Sequence, residues 1–321
     1  MNQKMKVMVI YEPGGPEKFV LEERAIPSVK EGWTLVKIKG FGINHSEIFT
    51  RKGLSPTVQF PRILGIECVG QVVETTRRDL QEGQKIVSIM GEMGRVYDGS
   101  YAEYVLLPNE QIYPVDSQLS WAELAAIPET YYTAFGSFKN MQIKEGDSIL
   151  VRAATSGVGL AFLKLVKAQF PQNRVVGAVR SLAKKDLLQQ QGFDEIILDE
   201  RGVLQTEEKF DKILELVGPA TLKNSFDHIQ SAGIICNTGQ LGGKWYVEEF
   251  DPIVEIRNNS YLTSFYSGNV HQQLIDELFS YIDAYKINVS PQRIFSLEQI
   301  PAAHSYIESQ AGFGKVVVLN N

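Results

Sequence analysis

From residue 148 to residue 265 short apolar runs alternate with helical patterns, and few architectures accept that alternation. Residues 148–153, 175–179, 195–198, 212–217, 233–237 and 261–265 read as strands. Between them, Leu160, Leu163 and Val166 share one helical face, and a polar helix is expected around 184–191. Leu222, Phe226 and Ile229 fall at i, i+4 and i+7 of a helix expected over 220–231. Six strands joined mostly by helices predict an α/β fold with a doubly wound parallel sheet, a Rossmann domain.

The chain before residue 120 follows another pattern. Short β-rich runs at 5–11, 34–42, 67–74, 85–90 and 101–107 are punctuated by turn signals such as Pro13-Gly14-Gly15 and Glu82-Gly83. The tail adds an amphipathic helix at 274–285 and a last strand at 315–319, which lacks a helical partner and is expected to return to the first domain. A length of 321 residues exceeds what one core usually supports. Two domains are expected: 1–121 completed by 267–321, and 122–266.

Composition removes several functions. With 32 Lys+Arg against 38 Asp+Glu, a net charge of −6 and no basic cluster, the chain is not built to neutralise nucleic-acid phosphates. No apolar run approaches the roughly 20 residues of a membrane helix, and no signal-peptide core is present at the N-terminus. Cys68 and Cys236 alone can build neither a disulfide framework nor a Cys-rich zinc lobe, and a reducing cytoplasm is the expected setting.

The sharpest chemical signal is the run Ile149-Leu150-Val151-Arg152-Ala153-Ala154-Thr155-Ser156-Gly157-Val158-Gly159. A strand enters small residues and then a helix, so the backbone N–H groups of Ser156, Gly157 and Val158 can approach a pyrophosphate at a helix N-terminus. Against the dinucleotide fingerprint the loop reads Ala154-x-Ser156-x-x-Gly159, and a tight strand-to-helix turn of some other α/β protein is the alternative. The next strand ends in Arg180-Ser181, with Lys184 and Lys185 one turn on and no acid. Cations and a hydroxyl there suit the 2′-phosphate of NADPH, whereas NAD sites carry an acid for the ribose hydroxyl. An ordinary solvated helix start is the other reading.

At this point the chain resembles a medium-chain dehydrogenase/reductase, specifically the zinc-independent, zeta-crystallin-like quinone oxidoreductase branch, over nearly its whole length. The resemblance rests on Gly42-Ile43-Asn44-His45-Ser46-Glu47, Arg51-x-Gly53, Pro61-x-x-x-Gly65-x-Glu67-x-x-Gly70 and Gly99-Ser100-Tyr101-Ala102-Glu103-Tyr104. It continues through the phosphate loop, Arg180-Ser181-x-x-Lys184, Gly192-x-Asp194, Gly218, Thr238-Gly239, Ile300-Pro301-Ala302-Ala303-His304 and Gly314-Lys315-Val316-Val317-Val318. It implies a GroES-like β-rich N-terminal domain, a Rossmann domain, and substrate bound between them. Asn44 is implied to orient the cofactor or the acceptor, Thr130 and Gly239 to contact the cofactor, and Tyr131 to wall the site. His271 and His304 are expected to be structural. Relatives commonly dimerise through the last Rossmann strand, so a homodimer through residues 259–265 is expected.

Zinc-dependent relatives place Cys and His where this chain has Asn44 and Ile66, and an apolar side chain cannot bind metal. An improvised site of His45, Glu67 and Glu129 is the competing arrangement. Without a Lewis acid, an already electrophilic acceptor is favoured, because a hydride can add to a quinone with charge delocalised onto oxygen. The expected activity is NADPH-dependent quinone reduction. The alternatives are an enone or alkene reductase with the same cofactor, or a catalytically silent nucleotide-binding module. In this branch a tyrosine often stands where the chain has Asp199, and an acid there would oppose a 2′-phosphate.

Overall fold

In the computed structural model, which describes residues 3–309 and 311–320, the alternating segment becomes one seven-stranded sheet. Its strands are β1 (Ile149–Arg152), β2 (Val175–Val179), β3 (Glu195–Glu200), β4 (Phe210–Glu215), β5 (Ile229–Asn237) and β6 (Tyr261–Ser264). These six run parallel in the order β3-β2-β1-β4-β5-β6, and the short strand Val203–Leu204 folds back antiparallel on β3. Reversal of strand order at β1 is the doubly wound topology expected from the sequence. Helix α1 (Gly157–Gln169) follows β1, α2 (Lys185–Gln191) follows β2, and α3 (Leu222–Asp227) lies between β4 and β5. Leu150, Val176, Ala178, Ile197 and Ile213 form one core with Leu222 and Phe226 of α3. Burying each large aliphatic contributes ~1.5–3 kcal/mol, which outweighs the mediocre helix propensity of so short a helix.

The helix expected over 220–231 is cut short. It ends at Asp227, His228 N–H closes the last turn on Ser225 O, and Ile229 already opens β5. Leu222, Phe226 and Ile229 all enter the same core, so their spacing holds although the backbone changes type between them.

The other unit is antiparallel except for one parallel pair, Arg293–Ser296 on Val316–Leu319. Lys4–Ile10 pairs along its length with Phe19–Ala25, and Arg62–Ile63 lies on its other side. A second sheet runs in the order Arg293–Ser296, Val316–Leu319, Trp33–Ile43, Glu67–Thr75, Lys85–Ile89, Tyr113–Pro114, with Tyr104–Pro108 also on Trp33–Ile43. The final strand thus returns to the first domain, with Val316 opposite Ile43 and Leu319 opposite Gly40. The run expected at 101–107 joins the ladder only from Tyr104, because Tyr101 N–H turns to Leu64 O.

By compactness the first unit is 1–132, 267–280 and 289–321, and the second 133–266 with 281–288. The expected break after 121 therefore moves to 132, and a helical turn inside the expected tail joins the second unit. The physical reason for the latter is Tyr281, whose hydroxyl donates to Leu165 O and whose ring meets Phe135 and Phe138.

Candidate active-site and cofactor-binding residues

Antiparallel pairing of the last strand decides what surrounds Asn44. With Val316 opposite Ile43, Lys315 comes to lie across from Asn44. Its ammonium donates to Asn44 Oδ1 at 2.7 Å and to Glu67 Oε1 at 2.6 Å. Asn44 Nδ2 in turn donates to Glu67 Oε1 at 2.8 Å, so both ends of the amide are assigned. The other carboxylate oxygen, Glu67 Oε2, accepts Glu129 N–H at 2.7 Å, at the start of the helix Pro128–Asn140, where a negative charge is favoured. Gly42 makes the space: a Cβ there would lie 2.2 Å from Lys315 Cε and 2.3 Å from Glu67 Oε1.

A second carboxyl belongs to this group. Glu47, 1% exposed, accepts Asn44 N–H on Oε2 at 3.2 Å. Burial, and then the neighbouring Glu67 charge, push its pKa up to about 8, with Lys315 pulling the other way. At neutral pH Glu47 is therefore mostly protonated, and the buried group balances one ammonium against one carboxylate. Lys315 and Glu67 are 5% and 0% exposed, while Asn44 is half-buried and forms the open side of the group. Ile66 is buried beside it at 4% exposure. Glu129 carries its carboxylate toward Ser267, whose hydroxyl donates to Oε1 at 2.7 Å. Among the described residues no three His, Cys, Asp or Glu side chains form a group that could hold a metal ion.

In the second unit the expected cofactor residues gather at the carboxyl ends of the parallel strands. Ala153 leaves β1 at φ 61°, and Ser156 caps α1 by accepting Gly159 N–H at 3.1 Å. Residues 155–158 are half-buried, so the loop backbone is reachable. A Cβ on Gly177 of β2 would come within 2.8 Å of Ala154 Cβ, so the small residues here allow close strand-to-loop packing. These features fit the pyrophosphate of a dinucleotide. Arg180 and Ser181 are exposed directly after β2, and Lys184 is half-buried, which lowers its basicity. Gly239 follows β5, where a Cβ would lie 2.1 Å from Leu216 O, so packing alone already demands a glycine.

Thr130 and Tyr131 stand in the first turn of Pro128–Asn140 at 2% and 3% exposure, and burial pushes the Tyr131 hydroxyl well up. His304 sits in the first unit's core, its Nε2 paired with the Tyr101 hydroxyl at 2.8 Å. Burial, then the Arg51 and His45 charges, pull it down to about 3, so it stays neutral at physiological pH. Two residues escaped the sequence reading. Lys315 stands in the motif Gly314-Lys315-Val316-Val317-Val318 and Arg152 in the run into the phosphate loop, but neither was given a role of its own. A basic residue inside a buried strand needs acidic company, and that was the available signal.

Fold and site together define a GroES-like domain joined to a Rossmann-like domain. Residues 30–117 match the family model described as alcohol dehydrogenase GroES-like domain, and 191–318 match the one described as zinc-binding dehydrogenase. The quinone oxidoreductase of Sus scrofa is 23% identical, covering 98% of each chain. The NADPH-dependent alkenal/one oxidoreductase of Arabidopsis thaliana is 25% identical over 98% of this chain and 80% of its own. The solved quinone oxidoreductase of Coxiella burnetii superposes with a TM-score of 0.85 at 22% identity, over 99% of this chain and all of its own. The chain belongs to the medium-chain dehydrogenase/reductase superfamily, in its quinone oxidoreductase-like branch.

Proposed function

We propose that the protein is a zinc-independent, NADPH-dependent reductase that transfers a hydride to a quinone-type conjugated acceptor. The observation that carries this reading is the saturation of Glu67. One oxygen takes the Lys315 ammonium and the Asn44 amide, and the other takes the Glu129 N–H. A metal at this carboxylate would have to displace a buried ammonium, with Ile66 and the neutral Asn44 as neighbours. The residues do not fit a catalytic zinc. The zinc-binding description of one matching family model is therefore not carried over to this chain's chemistry.

When bound, NADPH supplies the hydride. The loop from Thr155 to Val158 and the first N–H groups of α1 would hold its pyrophosphate, with Arg180, Ser181 and Lys184 at the adenosine end. Lys315 and Glu67 fix the Asn44 amide, so Asn44 would meet cofactor or acceptor in one set orientation. Glu47 holds a proton at neutral pH directly behind it. Thr130 is proposed to contact the cofactor and Tyr131 to wall the acceptor.

The alkenal/one oxidoreductase among the relatives favours a second reading, reduction of enones with the same cofactor. We further propose a homodimer through residues 259–265, where Tyr261 and Leu262 stand exposed on edge strand β6, and light scattering at monomer mass would refute it. A reducing cytoplasmic setting is supported by Cys68 and Cys236, both buried and free. No helix among the described residues is long and apolar enough to cross a membrane. The test is NADPH oxidation with a simple benzoquinone, run beside an enone and beside NADH, after subtracting the uncatalysed rate. Saturable quinone turnover supports the reading, a dominant enone rate selects the second one, and binding without turnover of either rejects both.

A further inference from the structure

Arg152 closes β1 and is fully buried. In register it lies beside Ala178 of β2, which in turn lies beside Ile197 of β3. Only a methyl group therefore stands between the arginine and the far strand, and the guanidinium reaches Asp199 two residues beyond Ile197. Nε and Nη2 both donate to Asp199 Oδ2, at 3.0 and 2.6 Å. Nη2 also donates to Gly202 O at 3.1 Å, in the turn after β3. Nη1 has Thr221 O, Asn224 Oδ1 and Ser225 Oγ as acceptors at 3.0–3.2 Å. Asn224 Oδ1 accepts Leu204 N–H at 3.1 Å as well, so the same group pins the hairpin behind Asp199. Glu215 Oε2 stands 3.7 Å from Nη1 and accepts the Ser225 hydroxyl.

The consequence concerns charge at the end of the sheet. An acid at a strand end beside the adenosine ribose accepts from the 2′-hydroxyl and repels a 2′-phosphate. Asp199 follows Leu198, whose register partner Val179 precedes Arg180, so the acid and the arginine leave neighbouring strands at the same level. Yet it is 5% exposed and bound to a guanidinium. Arg180 is exposed and makes no hydrogen bond or ion pair among the described residues. We propose that Arg152 is a specificity-determining residue: by neutralising and withdrawing Asp199, it leaves Arg180 unopposed for a 2′-phosphate. This rests on the NADPH reading above. It adds a residue outside the phosphate loop that acts on cofactor choice through another side chain.

The test uses calorimetric titration of the full-length chain with 2′,5′-ADP and with 5′-AMP, which differ only in the 2′-phosphate and involve no turnover. The native chain is expected to prefer 2′,5′-ADP. Asp199→Asn should change that preference by less than about threefold, because its charge is already compensated. Arg152→Gln should lower it by about tenfold, the scale of one newly exposed like charge, with 5′-AMP binding held within about threefold. The double variant Arg152→Gln/Asp199→Asn should restore it. A tenfold gain in preference from Asp199→Asn alone would overturn the inference, and that variant decides even if Arg152→Gln does not fold. Equal weakening of both ligands by Arg152→Gln without restoration in the double variant would also overturn it. A native chain that binds neither ligand, or prefers 5′-AMP, would remove the NADPH reading itself and the inference with it.

Discussion

Arg152 in the Rossmann-like unit and Lys315 in the other are both basic side chains buried among acids, and the two are satisfied in different ways. Arg152 spreads its N–H groups over one carboxylate, two backbone carbonyls, an amide and a hydroxyl, all within the Rossmann-like unit. Lys315 meets Glu67 and Asn44, and the second carboxyl nearby, Glu47, is left to keep its proton. A planar guanidinium presents five donors and serves several acceptors at once, whereas an ammonium is a point charge that here balances a single carboxylate. The first arrangement silences an acid. The second leaves a neutral acid, Glu47, beside the fixed amide of the half-buried Asn44.

Removing either cation should therefore hurt, and breaking the weaker-connected one tests the contrast most sharply. Lys315→Met leaves Glu67 buried with no countercharge and should cost ~3–5 kcal/mol in urea unfolding. Lys315→Met combined with Glu67→Gln should recover most of that loss, and a double-mutant cycle showing simple additivity would break the pairing.

Glu47 gives the next largest effect, and its sign is fixed by the raised pKa. Between the unfolded value near 4.5 and the folded value of about 8, the folded chain keeps a proton that the unfolded chain has released. This contribution to stability is complete below the lower value and is lost as pH rises through the upper one. Glu47→Gln should abolish the decline, making the variant more stable than the native chain at pH 8.5 relative to pH 5 by on the order of 2–4 kcal/mol. Parallel pH profiles of unfolding for the two chains would contradict the buried neutral acid.

Gly42→Ala sharpens the comparison by geometry alone. Its Cβ would meet both Lys315 and Glu67, and the expected cost is ~1–3 kcal/mol in thermal unfolding with a fall in quinone turnover. In the other unit, Ser156→Ala removes one cap from α1 and should cost only ~1 kcal/mol, with a modest weakening of nucleotide binding seen by fluorescence titration.

How much of this was readable beforehand depends on sequence distance. The six parallel strands and the return of the last strand follow from local periodicity and punctuation. Asn44 and the loop around Ser156 follow from motifs a few residues long. The overextended helix at 220–231 marks the limit of periodicity, since Leu222, Phe226 and Ile229 satisfy one core from two backbone types. The charged groups were hidden for a different reason. Lys315 reaches Asn44 and Glu67 only through an antiparallel register between chain ends, and Arg152 reaches Asp199 only because Ala178 lies between them. Asp199 shows the effect most clearly. Read alone it opposes a 2′-phosphate, and in the fold its charge is already taken.

The most direct test of the central claim measures bound zinc and NADPH–quinone turnover on the same purified, chelator-treated preparation. Substoichiometric zinc, turnover that survives chelation, and no gain on adding zinc are expected, because Lys315 already supplies the positive charge at Glu67. Stoichiometric zinc with turnover lost on chelation and regained with the metal would contradict it.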